Sequence, residues 1–100
     1  MHTFRTLDLA IQLYASAKRL RLPAHLRAQL LRAASSIALN LSEGDAKTSP
    51  KDQRRFFEIA MGSLRECQTV FRLESVSDPV LLDLADHLGA SLNNLIRRLE

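Results

Sequence analysis

Apolar and polar positions along the chain recur at three- and four-residue steps, the period of an α-helix with one buried face. No stretch alternates with the period of two that a strand requires. Four helices are predicted, at about 6–20, 24–43, 50–74 and 79–99. In the first, Leu7, Ile11, Tyr14 and Ala17 form the apolar stripe, while Arg5, Asp8, Gln12, Ser16 and Arg19 form the polar one. In the second, Leu26, Leu30 and Leu31 lead into a stretch from Ala33 to Leu41 whose circumference is almost all small or apolar. A helix of that kind is covered on more than one side, and in a chain of this length another subunit is the expected second cover. The third carries two adjacent stripes, Phe56-Ala60-Ser63-Cys67-Val70 and Phe57-Met61-Leu64-Phe71. The fourth carries a heptad seam of Leu81, Ala85, Leu88, Leu92, Leu95 and Leu99.

The helix ends are marked by their residue types. Pro23, Pro50 and Pro79 suit first turns, and Gly44 suits the left-handed position just past a helix end. Ser49 is placed to cap the third helix with Asp52 closing a capping-box-like pair, and Asp78 to cap the fourth. Gly62-Ser63 and Gly89-Ala90-Ser91 lie inside helices, where glycine costs up to about 1 kcal/mol relative to alanine. They are expected to mark a close helix crossing, the alternative being a ligand against the backbone. Long helices with short connections make an all-α, antiparallel up-down-up-down four-helix bundle, one domain over residues 1–100.

Composition adds constraints. At 46% hydrophobic and 25% charged residues the chain is too apolar for disorder. No apolar run approaches the roughly 18–20 residues of a membrane span, and Arg5 and Asp8 precede any apolar stretch, unlike a secretory signal. The expectation is a cytoplasmic protein without a membrane partner. The net charge of +3 is uneven. Residues 1–36 hold six basic residues and one acid, residues 37–76 balance, and residues 77–100 hold two basic and four acidic residues. A basic first third fits either an anionic partner or a solvated face.

No catalytic or cofactor constellation is legible, and no metal or cofactor is expected. Neither His25 nor His87 follows a Glu by three residues, as the metal sites of bundles require, and the N-terminal His2 stands apart. Asp83 and His87, four apart, read as an exposed contact with a metal pair as the alternative. Cys67, the single cysteine, lies on a core stripe with no activating base in view. The loop from Gly44 to Ser49 lacks both glycines of a phosphate-binding loop and follows a helix, which excludes nucleotide hydrolysis on that motif. Asn40, Glu43, Arg55, Ser63 and Glu66 sit near the apolar faces of the second and third helices. Buried polar groups need partners, so these five are expected to form a polar network between the two helices, with a ligand site as the alternative.

The segments Arg32-Ala33-Ala34-Ser35-Ser36-Ile37-Ala38-Leu39-Asn40-Leu41-Ser42-Glu43-Gly44, Ser49-Pro50-Lys51-Asp52-Gln53-Arg54-Arg55-Phe56 and Ile59-Ala60-Met61-Gly62-Ser63-Leu64-Arg65-Glu66 resemble the bacterial four-helix-bundle family of the 23S ribosomal RNA intervening-sequence protein. Asn40, Glu43, Gly44, Ser49, Asp52, Arg55, Phe56, Ala60, Gly62, Ser63 and Glu66 fall on its pattern. Gln53 stands where an aromatic is usual, and Lys47-Thr48 where two basic residues are usual. The resemblance covers nearly the whole chain. No enzymatic activity is established for that family, and its related branch forms basic, ring-shaped homopentamers that bind nucleic acid, so the resemblance implies a non-enzymatic assembly of that kind. It also implies kinship with the accessory variability protein of diversity-generating retroelements, which binds a reverse transcriptase.

On that basis the chain is expected to be a non-enzymatic module for structured RNA, in preference to DNA. Lys18, Arg19, Arg21, Arg27, Arg32, Lys47, Lys51 and Arg54 would contact phosphates. The alternative is a scaffold for a protein partner. With no basic-plus-aromatic platform in view, binding by shape and charge is expected, without base readout.

Overall fold

Four helices account for most of the computed structural model, which describes residues 2–100 and side chains from Phe4 onward; the His2 side chain named above lies outside the described residues. They are α1 (His2–Ala17), α2 (Ala24–Asp45), α3 (Pro50–Leu73) and α4 (Pro79–Arg98). Each lies along the next and α4 returns to α1, whereas the backbones of the diagonal pairs α1–α3 and α2–α4 do not come close. Among the described residues there is no strand. No helix is long and apolar enough to cross a membrane.

The ends follow local chemistry. Ser49 Oγ accepts the Asp52 N–H, the one half of the expected capping box that the structure shows. Asp78 caps α4 by accepting from the N–H groups of Val80 and Leu81. Pro23 stands one residue before α2, where its carbonyl accepts from the amides of Leu26 and Arg27. α1 stops three residues before Leu20. Lys18 to Leu20 close it with tight backbone bonds to Tyr14, Ser16 and Ala17. α3 ends in a Schellman motif, with Val76 N–H bonded to Phe71 and Ser75 N–H to Arg72. Ser75 holds the left-handed position (φ 50°) usually given to glycine.

Leu30, Ile37, Leu41, Leu64, Leu88 and Leu92 are wholly buried in one interior shared by α2, α3 and α4, and Leu13 brings α1 into it. Truncating any of these to alanine costs about 2–5 kcal/mol. The seams of α3 and α4 are as read from the pattern. In α1 the seam is rotated: Ala10, Leu13 and Ala17 are buried with Thr6, whereas Ile11 is 52% exposed. The cause is that small Ala10 lets α1 approach its neighbours, and Thr6 finds a partner there in Ser91 of α4.

Two glycines differ from expectation. Gly44 lies inside α2 with negative φ, and a Cβ there would meet Phe57 at 2.7 Å and Phe56 at 3.1 Å. It is required for space, not for a left-handed turn. Gly62 is exposed, with nothing within 4 Å of an added Cβ, so the expected crossing is not there. Gly89 is the buried, close-packed one, against Leu64.

Candidate nucleic-acid interface

Residues 9–42 contain no Asp or Glu, so the α1–α2 turn and the exposed face of α2 as far as Ser42 carry no negative side chain, and the acids Glu43 and Asp45 come only at the C-terminal end of that helix. The α1–α2 turn follows from the early end of α1. Arg27, one turn into α2, donates from Nη1 to the carbonyls of Lys18 (2.9 Å) and Leu20 (3.0 Å). Its guanidinium therefore neutralises the free carbonyls at the α1 C-terminus and fixes the turn. Lys18, Arg19 and Arg21 are exposed on that turn, and none is ion-paired among the described residues. Lys18 Nζ lies 5.1 Å from the Tyr14 ring centre. Arg19 borders a groove between α1 and α4 that Asp83 also lines.

The other expected phosphate contacts do not join this cluster. Arg32 is exposed farther along α2. Lys47, Lys51 and Arg54 lie at the opposite end of the bundle, beyond the roughly 33 Å that 22 residues of α2 span. There Lys47 pairs with Glu43 at 3.4 Å, and Arg54 with Glu58 at 3.3 Å. Lys47 also approaches the Phe56 ring, as does Arg55 at 4.6 Å. Lys51 is exposed in the first turn of α3. The eight cations thus form two separated groups with Arg32 between them. One of the eight, Arg27, is committed to the backbone.

The five polar residues on α2 and α3 likewise divide. Asn40 Nδ2 donates to the Ser36 carbonyl (2.8 Å) and to Ser36 Oγ (3.0 Å), and Ser63 Oγ donates to Ser36 Oγ (2.9 Å). Ser36, which the pattern did not single out, is the hub joining α2 to α3. Glu66 accepts from Gln29 at 2.8 Å in a separate contact. Glu43 is engaged by Lys47, and Arg55 lies on Phe56. No buried side-chain polar atom among the described residues lacks a partner. Cys67 is buried, and desolvation together with the nearby Glu66 charge pushes its thiol up to about 12, which makes it a poor nucleophile. Asp83 and His87 are both exposed.

The family model of the 23S rRNA-intervening sequence protein matches residues 4–100. The chain belongs to this family. The matched span takes in the motif core at residues 32–66, the α1–α2 turn and both cation groups. No curated protein and no solved structure gives a significant match.

Proposed function

We propose that the protein is a non-enzymatic, cytoplasmic module that binds structured RNA through its α1–α2 turn, acting as a homopentamer. The observation that carries this reading is the turn itself: three exposed, unpaired cations within four residues, held in place by the Arg27 bonds to the backbone. A fixed turn loses less side-chain and backbone freedom on meeting a phosphate chain. The family's name, taken from an intervening sequence of ribosomal RNA, supports RNA as the anion. One turn is a small patch, and a ring multiplies it into avidity. Leu39, 69% exposed in the apolar stretch of α2, supports a second copy over that helix.

The second reading, a scaffold for a protein partner such as a reverse transcriptase, is favoured by the same exposed Leu39 and by Ile59 on α3. Titration against labelled structured RNA at roughly 50 and 300 mM salt separates the two. Three phosphate contacts weaken about a hundredfold over that range, whereas an apolar contact does not. Absence of binding at low salt overturns the RNA reading. Light scattering tests the ring: five 11.2 kDa chains give about 56 kDa, and a folded monomer overturns it.

A further inference from the structure

A second cationic constellation lies between α1 and α4, where the facing turns leave an open cleft of about 540 Å3. Its polar walls are Arg5 of α1 and His87, Ser91, Asn94 and Arg98 of α4. The four α4 residues follow at steps of four, three and four, and so share one helix face. Leu9 and Leu95 form its apolar part. Every polar wall residue offers an N–H or O–H donor, and no carboxylate lines the cleft. Among the described residues neither Arg5 nor Arg98 is ion-paired. Asn94 Oδ1 accepts from Arg97 at 2.8 Å, which leaves its Nδ2 to donate elsewhere. Ser91 is tied to Thr6, which joins the two walls. The α1 N-terminus and the α4 C-terminus meet at this end, so their partial charges oppose each other. Arg5 and Arg98 carry the permanent charges among the residues that line the cleft.

We propose that this cleft is a phosphate-binding site in which Arg5 and Arg98 hold one phosphate group from two helices, with Asn94 Nδ2 donating to one of its remaining oxygens. Guanidinium forks match phosphate oxygens in geometry as well as charge. The site is separate from the α1–α2 turn, which lies at the other end of α1. The same chemistry serves a free phosphomonoester or a nucleic-acid backbone.

The test is a titration of the full chain with inorganic phosphate at low salt, followed by backbone amide shifts. Saturable shifts on the first turns of α1 and the last turns of α4 are expected, with Arg5→Gln and Arg98→Gln each weakening binding about tenfold. Both residues are exposed, so the variants fold, and a thermal melt checks this. A Lys18→Gln/Arg19→Gln/Arg21→Gln variant keeps phosphate binding even as RNA binding falls, which separates this site from the turn. No shift on those turns, or shifts unchanged in both single variants, overturns the site. A dinucleotide lacking a terminal phosphate reads the source. Tighter binding than inorganic phosphate marks a nucleic-acid backbone, weaker binding marks a phosphomonoester, and either supports the cleft.

Discussion

At the α1–α2 turn, Lys18, Arg19 and Arg21 stand free of ion pairs, and a fourth cation, Arg27, is turned onto the backbone beneath them. At the α2–α3 loop, Lys47 and Arg54 each face a carboxylate four residues away, and Lys47 and Arg55 rest against Phe56. The residue types are the same and the employment is opposite. At the first end charge is displayed on a clamped turn. At the second, Lys47 and Arg54 are neutralised locally beside a closely packed glycine, while Lys51 and Arg55 have no ion pair among the described residues. A count of basic residues does not separate these cases, because what decides is whether an acid or a carbonyl lies within reach.

The largest effect that tests this contrast is on RNA. Reversing Arg19 and Arg21 to Glu is expected to weaken binding about a hundredfold at low salt, while Lys47→Gln with Arg54→Gln changes it less than about threefold. Equal losses in a fluorescence titration would erase the distinction between the ends. Next in size is Gly44→Ala. The forced shift of Phe57 outweighs the gain in helix propensity, for a net loss of about 1–2 kcal/mol and a melting temperature lower by roughly 5–15 °C. Arg27→Ala frees two carbonyls and is expected to cost about 1 kcal/mol by chemical denaturation, more than Lys18→Ala, which loses only a ring contact. The smallest effect has the opposite sign. Gly62→Ala, in open space on α3, is expected to stabilise by about 0.5–1 kcal/mol in a thermal melt. A loss there would show that another molecule lies against that spot.

Helix existence, the Ser49 and Asp78 caps and the α3 and α4 seams were legible because long amphipathic segments and capping residues act locally. The seam of α1 was not. Its apolar residues form overlapping stripes, and bulky Ile11 outweighs Ala10 in any pattern even though only Ala10 fits the close approach. Gly44 illustrates the same limit, since its residue type is equally suited to a left-handed cap and to a tight crossing, and only the position of Phe57 chooses. The candidate cations were legible as types. Their division into two groups depends on α2 being one unbroken helix that carries them apart. Arg27's commitment to the backbone required knowing where α1 stops, and the cleft at Arg5 and Arg98 required bringing the two ends of the chain together.

The bond between Thr6 and Ser91 joins residues 85 apart in sequence within a seam otherwise lined by alanine and leucine. Hydrocarbon side chains tolerate sliding, because one leucine contact replaces another at little cost. A hydroxyl pair does not. Displacing α1 by one turn along α4 would leave the buried Thr6 hydroxyl and the half-buried Ser91 hydroxyl facing methyl groups, at about 1–3 kcal/mol for each unmet donor or acceptor. The pair thus works as a vernier mark, setting the first helix against the last at a single register.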